Sequence, residues 1–154
     1  MAQLKAGDRA PAFSLRDQNG QTVKLSGFKG RKVLVYFYPK ANTSGCTAQA
    51  CAVRDAMPDL SKLNVAAVGI SPDAPEQQKK FDDKNGLGFP LLSDPGHKVA
   101  DAYGVWGEKS MYGKKYEGII RSSFLVDEKG RVAAAWYKIS PKNTVPEAMS
   151  ALET

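Results

Sequence analysis

The chain is poor in the side chains that build metal and cofactor centres. It has two cysteines, Cys46 and Cys51, and one histidine, His97, in 154 residues. A structural zinc site takes four nitrogen or sulfur ligands, and these three side chains fall short of it. Gly86-x-Gly88 is too short to be a dinucleotide fingerprint, so no organic cofactor is expected. Cys-x-x-Cys is also absent, which speaks against a dithiol oxidoreductase whose sulfurs meet without rearrangement. No apolar stretch approaches the length of a membrane span. The segment Met1-Ala2-Gln3-Leu4-Lys5-Ala6-Gly7-Asp8 lacks the apolar core of a secretory signal. A cytoplasmic protein without membrane association is therefore expected. In a reducing compartment a close cysteine pair is more often catalytic or redox-sensing than structural.

Internal repeats, linkers and low-complexity segments are missing too, so one domain is expected over residues 1–154. That length buries roughly 68–70% of the unfolded chain's surface without staples. The net charge is +6 and the pI about 9.3. The basic residues are scattered among acids, with Lys114-Lys115 as the densest pair. This is a solvated surface with excess lysine, not a nucleic-acid face. An acidic protein partner would feel it mainly in encounter rate.

What is present concentrates in residues 33–51, V-L-V-Y-F-Y-P-K-A-N-T-S-G-C-T-A-Q-A-C. Val33 to Tyr38 is a continuous β-branched and aromatic run, as in a strand buried on both faces. Pro39 ends it, because proline cannot donate to a central ladder. A polar turn, Lys40-Ala41-Asn42-Thr43-Ser44-Gly45, then brings Cys46 into the first turn of a helix that also carries Cys51. A thiol placed there faces free N–H groups and the positive end of the helix dipole, which favour the thiolate. Strand, turn and thiol together describe a redox or nucleophilic site.

Elsewhere, Ala12–Leu15 and Thr22–Leu25 flank Asp17-Gln18-Asn19-Gly20, and the Asn-Gly step signals a hairpin. The central strand covers 32–38, and a helix follows from Ser44 to Lys62 with a kink or restart at Pro58. Residues 65–70 form a second buried strand. Asp73 with Glu76 predicts a capping box for a helix over 74–84. Residues 89–92 are extended, and a short helix runs from Pro95 through Tyr103. Residues 104–118, rich in glycine and aromatics, are expected to be a long loop. Strands 119–126 and 131–139 meet at Asp127-Glu128-Lys129-Gly130, and Thr144 with Glu147 caps a final helix. This order predicts an α/β fold, a thioredoxin-like sandwich with a central mixed sheet flanked by helices and an added N-terminal β-hairpin.

On a continuous helix, residues 46 and 51 are separated by about 7.5 Å of rise and roughly 140° of rotation, placing the Cα atoms about 8.6 Å apart. A disulfide needs Cα atoms within about 7 Å. The two thiols cannot join unless the first helical turns unwind. A Cys–His protease would need His97 as its base. His97 lies in the polar helix start Asp94-Pro95-Gly96-His97-Lys98 and reads as a solvated surface residue. Arg54-Asp55 reads as a structural ion pair, and Trp106 and Trp136 as packing residues. Arg121 is unusual, because it heads an apolar strand and a half-buried guanidinium needs an anionic partner.

Pro39-x-x-x-Thr43-x-x-Cys46 resembles the signature of the peroxiredoxins. The context Tyr38-Pro39-Lys40…Gly45-Cys46-Thr47…Ala50-Cys51…Arg54-Asp55 is similar to their bacterioferritin-comigratory (PrxQ) subgroup. Residues 69–73, 89–94, 103–109 and 120–127 agree in register, so the resemblance covers nearly the whole chain. It implies a thiol-dependent peroxidase acting on hydrogen peroxide and organic hydroperoxides. Cys46 would be the peroxidatic cysteine and become a sulfenic acid. Thr43 would offer its hydroxyl to the peroxide, Pro39 would shield the sulfur from water, and Arg121 would stabilise thiolate and departing oxygen. Cys51 would resolve the sulfenic acid in an intramolecular disulfide, which thioredoxin or a similar dithiol donor would reduce. An intramolecular partner removes the need for a second subunit, so a monomer is expected. One residue departs from the subgroup: Ser44 stands where proline is common, which keeps an N-cap residue but loosens the turn. A redox sensor or holdase using the same helix unwinding remains an alternative.

Overall fold

The computed structural model describes residues 3–153; Met1, Ala2 and Thr154, part of the expected 1–154 domain, lie outside the described residues. The first half of the chain forms β1 (Ser14–Arg16), β2 (Thr22–Lys24), β3 (Lys32–Phe37), α1 (Ser44–Lys62) and β4 (Val65–Ser71). It continues with α2 (Pro75–Asn85), β5 (Leu91–Ser93), α3 (Lys98–Ala102), β6 (Trp106–Met111) and β7 (Lys114–Ile119). The last elements are β8 (Ser122–Val126), β9 (Val132–Trp136) and α4 (Thr144–Leu152).

Seven strands make one mixed sheet in the order β2-β1-β5-β4-β3-β8-β9. β3 lies parallel to β4, with Val35 opposite Val68, and antiparallel to β8, with Val35 opposite Phe124. Its side chains alternate between two cores, as strand geometry requires. Val33, Val35 and Phe37 pack with Ile70, Val99, Tyr103 and Phe124 on the face covered by α3. Leu34, Tyr36 and Tyr38 pack with Cys46, Ala50, Val53, Phe81 and Ala148 on the face covered by α1, α2 and α4. This is the thioredoxin-like α/β sandwich, with β1–β2 as the N-terminal hairpin. Among the described residues no helix is long and apolar enough to cross a membrane.

Several local expectations are corrected. Residues 104–118 are not a loop: β6 and β7 form a separate antiparallel hairpin, with Lys109 opposite Tyr116. Its two-residue turn, Tyr112-Gly113, has φ of 52° and 79°, the double left-handed pair of a type I′ turn. The alternating pattern is masked because Gly107 and Gly118 face each other across the strands. The expected strand 119–126 is divided. Ile119 ends β7, Ser122 begins β8, and Ile120 and Arg121 bridge them. The strand placed over 131–139 stops at Trp136, with Lys138 at φ 56°.

The expected Asp73–Glu76 capping box of α2 does not form; the helix start shifts one residue and keeps only the N3 half of such a box. The Ala74 N–H donates to Gln77 Oε1 at 3.2 Å, while Asp73 turns to the Ala41 N–H and the Ser71 hydroxyl, both at 2.7 Å. Thr144 does not cap α4 but opens it, after a 3-10 turn at Pro141–Asn143. α1 runs through Pro58 without the restart allowed for there.

Candidate active site

Cys46 sits in the first turn of α1, directly beyond the end of β3, and is 1% exposed. The first bond of the helix runs from the Thr47 N–H to the Thr43 carbonyl at 2.8 Å. The N–H groups of Ser44, Gly45 and Cys46 therefore have no carbonyl partner within the helix. Free donors and the dipole converge where the sulfur lies.

Arg121 supplies the counter-charge. Its Nη2 donates to Cys46 Sγ at 3.4 Å, and its Nη1 donates to Gln49 Oε1. Gln49 is fully buried, and its Nε2 donates to Thr144 Oγ1 at 2.8 Å. The guanidinium is thus clamped from α4 through α1 before it meets the sulfur. Its backbone is fixed as well, because the Arg121 carbonyl accepts from the Ile139 N–H at 2.9 Å. Gly45 lets the cation approach: a Cβ there would stand 3.3 Å from Arg121 Nη2 and 3.5 Å from Pro141 Cγ. Neither Gln49 nor Thr144 was among the expected site residues. The signal available was position, since Gln49 follows Cys46 by three and shares its helix face.

The turn before the helix is pinned from below. Gln78, fully buried, donates to the Ser71 hydroxyl and the Leu92 carbonyl and accepts from the Tyr38 hydroxyl. Ser71 bonds Asp73, and Asp73 holds the Ala41 N–H. Thr43 is exposed, and its hydroxyl donates to the Lys40 carbonyl at 2.8 Å instead of capping the helix. Oγ1 keeps its lone pairs for a further donor.

The Tyr36 hydroxyl is buried with no hydrogen-bond partner among the described residues. Burial foremost, then negative charge on Tyr38 and Cys46, holds its pKa well above the tyrosine range. Pro39 is half-buried and borders a cavity of about 390 Å³ with Lys109 and the aromatic rings of the β6–β7 hairpin. The Lys109 pKa is lowered, by burial first and by the Arg121 charge second, with Cys46 acting in the opposite sense.

Cys51 is not brought to this cluster. It is half-buried further along α1, both cysteines are free thiols, and its Sγ lies 4.0 Å from Asn85 Oδ1. The helix between the two cysteines is unbroken. Arg54 and Asp55 form an exposed ion pair at 3.0 Å, as expected. His97 is a partly exposed surface residue whose ring also stacks on Trp106 at 3.9 Å, with Nδ1 2.9 Å from Asp101 Oδ2. Among the described residues, no three His, Cys, Asp or Glu side chains group to hold a metal ion.

Residues 6–135 match the AhpC/TSA family. The chain belongs to this family, in its Bcp/PrxQ peroxiredoxin branch. Peroxiredoxin Bcp of Escherichia coli K12 is 56% identical over 132 residues, 86% of this chain and 85% of that one. Peroxiredoxin Bcp of Bacillus subtilis is 43% identical over 150 residues, covering 97% and 96%. Among solved structures, Peroxiredoxin Q of Xanthomonas campestris superposes with a TM-score of 0.89 at 33% identity, covering 96% of each chain. PrxQ of Xylella fastidiosa reaches 0.92 at 27% identity, covering 99% and 98%. As a peroxiredoxin, the chain is a thiol-dependent peroxidase: it takes a peroxide substrate and a thiol reductant.

Proposed function

We propose that Cys46 is the peroxidatic residue and that Arg121, Thr43 and Pro39 complete its site. The observation that carries the assignment is the Arg121 Nη2 to Cys46 Sγ contact at 3.4 Å, with the other guanidinium nitrogen locked on Gln49. The Cys46 thiolate attacks the terminal oxygen of a hydroperoxide. An S–O bond forms, the O–O bond breaks, and its electron pair leaves on the second oxygen, which takes a proton to become water or an alcohol. Arg121 offsets the negative charge throughout this displacement. Thr43 Oγ1, already donating to Lys40, accepts the peroxide hydrogen, and Pro39 keeps water from the sulfur.

Cys51 then resolves the sulfenic acid. Its sulfur displaces water from Cys46, giving an intramolecular disulfide, and the first turns of α1 open to permit it. Thioredoxin or a similar dithiol returns both thiols. The protein works in the cytoplasm as a monomer, without metal or organic cofactor.

Pre-reduced protein mixed with a slight excess of hydrogen peroxide, and no other reductant, tests these roles. Wild type consumes about one equivalent and gains an internal disulfide by intact mass. Cys51→Ser reacts but stops at a sulfenic or higher oxide, and Cys46→Ser is inert. Peroxide consumption by Cys46→Ser at the wild-type rate overturns the assignment.

A further inference from the structure

The core beneath α1 contains a hydroxyl that no described residue pairs. It belongs to Tyr36, which is 1% exposed. A buried hydroxyl left without a partner costs stability that the rest of the fold must offset. Tyr38, two residues on and on the same face of β3, shows the usual arrangement, its hydroxyl donating to Gln78 Oε1. Tyr36 is nonetheless tightly placed. It lies opposite Gly69 across β3 and β4, where a Cβ would stand 2.9 Å from its Cζ and its Oη. Its ring centroid is 5.5 Å from that of Tyr38 and 6.2 Å from that of Phe89.

Tyr36 shares its core cluster with Cys46 and Ala50, and Cys51 packs against the same cluster. Burial is the main cause of its raised pKa; charge on Tyr38, Cys46 and Cys51 adds to it, and Arg121 acts in the opposite sense. The hydroxyl is thus within electrostatic reach of both sulfurs, beneath the turns of α1 that separate them. The helix is anchored just beyond those turns. Arg54 Nη1 donates to the Asn85 carbonyl at 2.7 Å, and Val53 is fully buried. Opening for the disulfide is therefore confined to residues 44–51, the segment that packs on the Tyr36 cluster.

Opening these turns frees helical N–H and carbonyl groups and admits water, and a phenol can donate to one partner while accepting from another. Resting on the assignment of Cys46 and Cys51 above, we propose that Tyr36 is a positioning residue for the resolving step, its hydroxyl unpaired under the closed helix and paired under the open one. That pairing offsets part of the cost of unwinding α1, so the sulfenic acid on Cys46 meets Cys51 sooner. Tyr36 takes no part in bond making. The Cys51 sulfur attacks the Cys46 sulfur, the S–O bond breaks, and its electron pair leaves on the oxygen, which takes a proton to become water.

Tyr36→Phe removes the hydroxyl and keeps the ring. Rapid quenching and intact mass after a pulse of hydrogen peroxide follow thiol, sulfenic acid, disulfide and sulfinic acid in pre-reduced wild type and variant. The variant converts sulfenic acid to disulfide about tenfold more slowly, the scale of one unpaired buried hydroxyl, and its sulfinic fraction at a given peroxide level rises. Urea melts of the reduced variant show no loss of stability, because the closed helix gives that hydroxyl no bond. A merely structural hydroxyl would move the melt and leave the partition between disulfide and sulfinic acid alone. Disulfide formation at the wild-type rate, or a reduced variant less stable than wild type, overturns the proposal. Wild type that forms no disulfide sinks the assignment of Cys51 and this role with it, a result told apart because it needs no variant.

Discussion

The guanidinium of Arg121 can serve the sulfur only while Gln49 holds its other nitrogen. Replacing Gln49 by alanine leaves that nitrogen and the Thr144 hydroxyl without their buried partner. A stability loss of about 2 kcal/mol follows, together with a fall of at least about tenfold in peroxide reactivity. Gln49→Glu keeps the acceptor facing Arg121 and retains more of the rate, although its link to Thr144 changes. Denaturant melts and stopped-flow peroxide consumption give the two numbers, and equal rates in the two variants would remove Gln49 from the site. Gly45→Ala acts on the same contact from the other side. Its new methyl crowds Arg121 Nη2 at 3.3 Å, so peroxide reactivity drops severalfold with little change in helix propensity cost or gain beyond about 1 kcal/mol. Cys46 and Arg121 were legible in the sequence because their types and register resemble a known motif. Gln49 was not, since a glutamine between alanines on a helix looks the same whether it meets solvent or a buried cation.

Among the elements, α1 carries both cysteines of the proposed cycle and the obstacle to joining them. Cys46 and Cys51 lie on an unbroken helix, at a separation of about 8.6 Å between Cα atoms for ideal geometry. On the proposed cycle, oxidation by peroxide in the absence of reductant is expected to open the first turns. Amide hydrogen exchange at residues 47–51 accelerates in oxidised wild type and stays slow in Cys51→Ser treated identically. Full protection in the oxidised wild type would mean that the disulfide is not formed within this helix. The extents of α1, β3 and β4 could be read from their apolar runs and from Pro39. The β6–β7 hairpin could not, because its paired glycines interrupt the alternation and its tip stands in solvent, with Tyr112 97% exposed. The Asp73 cap was misplaced for a related reason. A carboxylate near a helix start is a capping signal locally, but here tertiary structure directs it to the Ala41 N–H.

For the whole molecule, the sheet keeps three tyrosines away from water. Burial raises the pKa of Tyr36, Tyr38 and Tyr103 well above the ordinary value. An acid whose folded pKa is raised stabilises the fold fully below its unfolded pKa, near 10, and that stability is lost as pH climbs toward the folded value. Unfolding free energy is thus flat in these groups near neutrality and falls steeply above about pH 10, by up to about 1.4 kcal/mol per pH unit for each tyrosine. Tyr38→Phe, which also cuts the hydroxyl's bond to Gln78, shows a shallower alkaline slope in urea melts at several pH values. An unchanged slope would mean that Tyr38 is not protonated by the fold. The mixed sheet itself was foreseeable from the strand and helix order, while the division at Ile120 and Arg121 arises because the hairpin docks there, a long-range event that no local window contains.

The intact helix between the two cysteines also has a thermodynamic meaning. On the proposed cycle, closing the disulfide and melting the first turns of α1 are one event, so the local unfolding free energy adds directly to the midpoint potential of the couple. Each 1.4 kcal/mol by which the helix start is strengthened makes the disulfide about 30 mV more oxidising, and each loss makes it correspondingly harder to reduce. Ser44, in place of a stiffening proline, lowers the cost of opening and therefore moves the potential toward the reducing side. The same linkage makes temperature a redox variable for this chain: warming that frays α1 drives the couple toward its disulfide at a fixed thiol supply.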